Sequence, residues 1–204
     1  LDLSEKNSYV RWAVEQGQTV FMVSWLNPTV DNRNVGFDRY VTEGVMHALE
    51  MVEKQTGQRE VNAVGYCIGG TLLMTTLAYM AGRRLKPRVK SATLLTTLTD
   101  FSDPGDIGVF IDDHIIKAIV HQNNQMGYFD GRVMAVSFSK LRENSLYWNY
   151  YIQNYLKGES PMPFDLLYWN SDSTNITAAC HNDMLQKFYL DNQLIRPGSY
   201  SING

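Results

Sequence analysis

Apolar positions change their spacing several times along the chain, and each change marks an element. Val10, Ala13 and Val14 fall at helical spacing behind Ser8, a residue type that caps helix N-termini, and Gly17 is placed to stop that helix in a left-handed turn. Thr19 to Trp25 reads TVFMVSW, β-branched and apolar on both faces, the pattern of a strand buried inside a parallel sheet. A polar loop runs from Asn27 and Pro28 to Gly36. From about Asp38, Val41, Val45, Leu49 and Val52 lay one apolar stripe along a helix that Gly57 terminates. Val61 to Gly65 predicts a second buried strand. Gly70 to Ala81 follows as a helix with Leu72, Leu73, Thr76, Leu77 and Met80 on one stripe, closed by Gly82, and Val89 to Leu95 as a third strand. Strand, helix, strand, helix, strand predicts an α/β fold with parallel pairing and right-handed crossovers.

After Asp100 the pattern breaks. Pro104, Gly105 and Gly108 interrupt the chain, and Gly127, Gly131 and Gly158 punctuate short aromatic-rich helical stretches with no strand alternation. The second half therefore reads as a mostly helical cap inserted after a sheet strand. The expected division is an α/β core over 1–99 and a cap over 100–204. Within the cap, Leu146 to Tyr151, Tyr155 and Tyr168-Trp169 form an aromatic run. At helical spacing its expected role is core packing, with an acyl channel or a dimer contact as the alternatives.

Composition narrows the function classes. At 204 residues, 44% hydrophobic and 19% charged, the chain can bury a real core, and a net charge of -3 supplies no basic field for nucleic acid or anionic lipid. Two cysteines in unrelated contexts, Cys67 and Cys180, argue against a disulfide framework and fit a reducing compartment, with cytoplasm as the expectation. No apolar run is long enough to span a bilayer, and the start at Leu1 has neither an initiator Met nor a leader pattern, so the chain is expected to begin within a longer protein.

The most informative segment is Val61 to Gly70. It has the order strand, then Gly65-Tyr66-Cys67-Ile68-Gly69-Gly70, then amphipathic helix, which is the context of a nucleophile elbow with cysteine where hydrolases usually carry serine. So tight a turn strains the nucleophile's backbone, and close packing of strand on helix is expected to leave no room for side chains at Gly65 and Gly69, with Gly70 as a further elbow glycine. The thiol is then presented at the carboxyl edge of the sheet, where the positive end of the helix dipole favours thiolate. The backbone N–H of Ile68 would face the oxyanion formed when Cys67 attacks a carbonyl, and one such donor is typically worth about 3 to 4 kcal/mol of barrier. The competing reading makes Cys67 a small buried apolar residue at an ordinary strand-to-helix turn.

Several blocks in order resemble the class I polyhydroxyalkanoate synthases over nearly the whole chain. They are Val14 to Gly17, Val23 to Pro28, Gly65 to Thr71, Leu94 to Phe101, Trp148 to Tyr150, Asn154 to Gly158, and Pro163 to Asn170 with Thr174-Asn175. The resemblance implies a partial α/β-hydrolase fold, truncated at both ends, in which Cys67 accepts a hydroxyacyl group from coenzyme A. A hydroxyl of the growing polyester then displaces it, with a dimeric enzyme and a cap over the active-site entrance. It implies no resident cofactor, the coenzyme A thioester being substrate, and a cytoplasmic site at or near polyester granules.

The family takes its catalytic aspartate and histidine from loops after later strands, and nothing here corresponds to them, so the chain by itself is expected to be inactive. His47, His114, His121 and His181 match no family motif and are expected to be surface or locally hydrogen-bonded residues. Asp100, after the third predicted strand, is expected to be a loop or hinge cap. His114 with Asp112-Asp113 lacks metal-ligand spacing, and no metal is expected. Two other readings stay open. One is a cysteine-based ester or lactone hydrolase; the other is a non-catalytic interaction protein on the same fold.

Overall fold

A computed structural model describes residues 2–141, 143–161, 169 and 172–203. Its main elements are α1 (Tyr9–Glu15), α2 (37–56), β1 (Val61–Tyr66), α3 (Ile68–Gly82), β2 (Val89–Leu95), α4 (Asp113–Met126), α5 (Gly131–Leu141) and α6 (178–190). Two of the helices change pitch. α2 passes through a π-helical stretch at Tyr40–Val45, and α6 becomes π-helical at Met184–Leu190. Further π-helical turns lie at Asn144–Trp148 and Tyr151–Leu156.

The chain divides into two compact units, Leu1–Asn27 with Asp130–Ile176, and Pro28–Phe129 with Thr177–Gly204. This differs from the division expected at residue 99. Contacts, not sequence order, make the units: α4 packs on α6 and α6 on the start of α2, so two helices assigned to a cap by sequence fall in the same unit as β1, α3 and β2.

The second unit holds a βαβ unit. β1 and β2 run parallel, from Val61 opposite Val89, through one register shift, to Tyr66 opposite Leu95, and α3 forms the crossover. α3 buries Leu72, Leu73, Met80 and three threonines. The buried hydroxyls of Thr75 and Thr76 are satisfied within the helix, donating to the carbonyls of Thr71 and Leu72 at 2.8 Å. The core of this unit is aromatic. Phe188 of α6 is wholly buried, and its ring meets Phe37 edge-on at 4.9 Å, Tyr200 at 5.1 Å and Phe101 at 5.8 Å. Asp112 caps α4 by accepting from the N–H groups of His114 and Ile115, and Gly127 ends it with φ 85°. Thr177 caps α6 by accepting from Cys180 N–H, and its hydroxyl donates to the carbonyl of Val35 at 2.6 Å.

In the first unit, Ser8 caps α1 through the N–H of Arg11 at 2.8 Å and Gly17 follows with φ 79°, as expected. Thr19 to Trp25 is not a strand: the segment joins no ladder among the described residues, and Phe21 and Leu26 are 50% and 80% exposed. A strand exists only where a neighbour takes its backbone groups. The run supplies the side chains for a sheet interior, yet it belongs to a different unit from β1 and β2. For the same reason β1 and β2, expected to be buried, leave Val64, Tyr66 and Leu94 exposed on a sheet of two strands.

The aromatic run is also exposed where core packing was expected. Tyr147, Trp148, Tyr151 and Tyr155 pack on one another and stay exposed among the described residues, with Tyr151 and Tyr155 at 5.2 Å. Trp169 is exposed, whereas Tyr168 and the resemblance residues Pro163 to Tyr168 and Asn170 lie outside the described residues.

Candidate active site

The sequence turns from β1 into α3 across one residue, Cys67. Its backbone sits at φ 53° and ψ -127°, a region that costs a residue with a Cβ about 1–3 kcal/mol, so the surrounding structure has to enforce it. Three backbone bonds do so. Cys67 N–H donates to the carbonyl of Leu95 on β2 at 2.9 Å, while the Cys67 carbonyl accepts from Gly70 N–H at 2.9 Å and from Thr71 N–H at 3.4 Å. The side chain is exposed. The alternative of a buried apolar cysteine is thereby excluded for Cys67. Ile68 is the first residue of α3, and a helix leaves its first N–H groups without intrahelical partners, at its positive end.

Of the close approaches expected at Gly65 and Gly69, the structure has the one at Gly65, and it adds one at Gly70. A Cβ on Gly65 would lie 2.5 Å from Cα of Gly70, and one on Gly70 would lie 2.7 Å from Cγ2 of Thr97 and closer still to its hydroxyl. Gly69 is different, because a Cβ there meets nothing within 4 Å. The first turn of α3 presses on its neighbours through Gly70, one position later than the sequence reading placed the close approach, and Gly69 faces open space.

Sequence reasoning missed what holds the turn from the far side. The hydroxyl of Thr71 donates to the carbonyl of Leu98 at 2.6 Å, and Thr97 fills the space over Gly70, so the loop after β2 is locked to the first turn of α3. Thr96 on this loop also has a positive φ, 48°. The loop's other end is pinned by Asn192, whose Nδ2 donates to Oδ1 of Asp100 at 2.7 Å and whose Oδ1 accepts from Phe101 N–H at 3.0 Å. Asp100 also accepts from Ser102 N–H, and these hydrogen bonds, that from Asn192 foremost, hold its carboxyl below the usual range. Asp100 thus acts as a loop cap. The only signal for this clamp was the clustering of Thr96, Thr97, Thr99 and Asp100 behind a strand.

The four histidines lie elsewhere. His47 of α2 is exposed, 3.9 Å from Glu50, and His114 and His121 are exposed on α4. His181 of α6 is buried, its Nδ1 paired with Nδ2 of Asn123 at 2.9 Å and its ring stacked on Phe129 at 4.0 Å. Burial pulls its pKa down to about 4, so it is neutral at physiological pH. Among the described residues no histidine nitrogen is hydrogen-bonded to Cys67. The second cysteine, Cys180, is buried on α6, and burial first, then the charges of Asp183 and Asp38, push its thiol up to about 12. Among the described residues no group of three or more His, Cys, Asp or Glu side chains is arranged to hold a metal ion, and no helix is long and apolar enough to cross a membrane.

A strand, a one-residue strained turn carrying an exposed cysteine, and a helix whose first N–H groups face the same edge define a class, and comparison with known families agrees. The chain belongs to the alpha/beta hydrolase fold family, whose model matches residues 7–200. Within that class it is similar to the poly(3-hydroxyalkanoate) polymerase subunit PhaC of Rhizobium meliloti, at 48% identity over 95% of this chain and 32% of the relative. It is 46% identical to the poly(3-hydroxyalkanoate) polymerase of Methylorubrum extorquens over 96% of this chain and 32% of the relative. To the PhaC subunit of Cupriavidus necator it is 42% identical over 100% of this chain and 35% of the relative. The chain therefore spans about a third of the length of the relatives it matches.

Proposed function

We propose that this chain carries the nucleophile of an acyltransferase that polymerises 3-hydroxyacyl-coenzyme A into a polyester. The observation that supports it most is the exposed Cys67 on a strained strand-to-helix turn in a chain similar to polyester polymerases. The Cys67 sulfur attacks the thioester carbonyl carbon, the carbon's bond to the coenzyme A sulfur breaks, and coenzyme A leaves as its thiol. Exchange between two thiols of similar basicity is close to balanced, which suits a carrier that must unload again. A hydroxyl of the growing chain then attacks the Cys67 thioester. A new ester C–O bond forms, the C–S bond to Cys67 breaks, and the hydroxyl proton ends on the sulfur. In both tetrahedral steps the Ile68 N–H is a donor to the oxyanion.

No described histidine is bonded to Cys67, so the reading assigns the general base and its carboxylate partner to polypeptide beyond the described residues, and expects the isolated chain not to turn over. The protein is proposed to work in the cytoplasm at the polyester surface, as a homodimer, with no resident cofactor.

The test is made on the full-length protein. Quenching early turnover with 3-hydroxybutyryl-coenzyme A should add one hydroxyacyl unit to the peptide containing Cys67, and Cys67→Ala should abolish both the adduct and polymer. Polymer formation by Cys67→Ala would end the proposal, and free hydroxy acid in place of polymer would reassign the protein to hydrolysis.

A further inference from the structure

Cys67 is held through both of its backbone polar groups, and the two holds meet at Thr71. On one side Cys67 N–H donates to the carbonyl of Leu95 at 2.9 Å, and that carbonyl also accepts from the hydroxyls of Thr96 at 2.8 Å and Thr97 at 3.2 Å. On the other side the Cys67 carbonyl accepts from the N–H groups of Gly70 at 2.9 Å and Thr71 at 3.4 Å. The Thr71 hydroxyl then reaches across to the carbonyl of Leu98 at 2.6 Å. These bonds close a ring: Cys67 to Thr71 along the first turn of α3, Leu95 to Leu98 along the end of β2 and the loop after it, and a cross-bond at each end. Thr97 fills the ring by lying over Gly70.

A peptide unit is planar and trans, so its N–H points opposite to its C=O. Whatever fixes the Cys67 carbonyl therefore aims the Ile68 N–H, the donor that acyl transfer assigns to the oxyanion. The backbone of Cys67, at φ 53° and ψ -127°, lies where a residue with a Cβ has no local preference to stay, so that aim depends on the ring. Thr71 is 1% exposed, and its hydroxyl is the cross-bond that keeps the loop, and with it the Leu95 carbonyl, against the elbow. Without that hydroxyl the Leu98 carbonyl has to find another donor, and the loop moves to reach one.

We propose that Thr71 is a positioning residue of the Cys67 site: its hydroxyl, bonded to Leu98, closes the ring that holds the Cys67 carbonyl and so aims the Ile68 N–H at the developing oxyanion. The proposal rests on the acyl-transfer reading. Thr71 acts through Cys67 and Ile68 and has no bond of its own to make with the acyl group. A donor already aimed when charge develops needs no reorganisation during the reaction, and such preorganisation is what makes it effective.

The experiment compares Thr71→Val and Thr71→Ser with the unaltered full-length protein. Valine keeps the branched shape and removes the hydroxyl, whereas serine keeps the hydroxyl and removes the methyl. Two rates are read at Cys67: acylation by 3-hydroxybutyryl-coenzyme A in a single turnover, and alkylation by iodoacetamide, which displaces iodide without forming an oxyanion. Thr71→Val should slow acylation at saturating substrate by about tenfold to a hundredfold with alkylation unchanged, and Thr71→Ser should return acylation to within about threefold of the unaltered rate. Acylation at the unaltered rate in Thr71→Val overturns the proposal. Equal slowing in the two variants also overturns it, because the methyl's packing would then be the cause. A joint fall of acylation and alkylation does the same, since the turn would be loosened as a whole. Should Thr71→Val not fold, Thr71→Ala is read against Thr71→Ser in the same way; if Thr71→Ala also fails to fold, the hydroxyl serves the fold and the proposal falls. Absence of any acyl adduct on Cys67 in the unaltered protein would instead remove the acyl-transfer reading itself.

Discussion

At the scale of single residues, the molecule uses the same atom type in two opposed ways. Cys67 is exposed at a helix N-terminus, while Cys180 is buried with its thiol pushed up to about 12. Thiolate is the reacting form, so iodoacetamide at neutral pH should modify Cys67 in the folded protein and reach Cys180 only in denaturant. Peptide mapping of the adducts checks this, and equal labelling of both in the native state would contradict it. Adjacent glycines separate just as cleanly. Gly70→Ala drives a methyl into Thr97 and should cost about 1–3 kcal/mol while loosening the elbow. Gly69→Ala meets open space on a helix, where alanine is favoured over glycine by roughly 0.5–1 kcal/mol, and should be neutral or mildly stabilising. Denaturant midpoints of the two variants decide the matter. Both glycines were visible in the motif, but which one touches a neighbour depends on Thr97, 27 positions after Gly70, and no local pattern encodes that.

Elements behave according to what covers them. The helices were legible where their caps are local: Ser8 before α1, Gly57 after α2 and Gly127 after α4 each act within one turn of their own sequence. The elbow was legible for the same reason. The apolar run at 19–25 was misread because its pattern reports a wish for burial and not the presence of a partner strand. α6 carries a device that periodicity could not reveal, the buried His181 paired with Asn123 of α4 and stacked on Phe129. Its pKa is lowered from 6.5 to about 4, with burial as the cause. The folded state therefore binds fewer protons than the unfolded one between those values. The stabilisation is fully present above pH 6.5 and is lost as pH falls towards 4, by about 3 kcal/mol in all. Urea midpoints measured at pH 7 and pH 4.5 should show a larger drop for the unaltered chain than for His181→Gln, and equal drops would exclude His181 as the source.

On the scale of the whole molecule, a modest charge is set against a great deal of uncovered apolar surface. The net charge is only -3 over 204 residues, so repulsion between copies is weak. In the first unit, the segment 19–26 presents Phe21, Met22, Val23, Trp25 and Leu26, and the turns at 144–156 present Tyr147, Trp148, Tyr151, Ile152, Tyr155 and Leu156. Tyr155 is 76% exposed although its ring is stacked on Tyr151. Monomeric proteins seldom leave contiguous apolar patches of this kind in water, because each Å² covered is worth roughly 25 cal/mol. The chain studied alone should therefore self-associate at micromolar concentration and bind a dye such as anilinonaphthalene sulfonate in its folded state. Two lysines placed at the most accessible points, Tyr155→Lys with Leu156→Lys, should lower both the weight-average mass in sedimentation velocity and the dye fluorescence, while leaving the second unit's elbow and core, and hence the native alkylation of Cys67, unaltered. A monodisperse monomer that ignores the dye would mean that these rings are covered in solution.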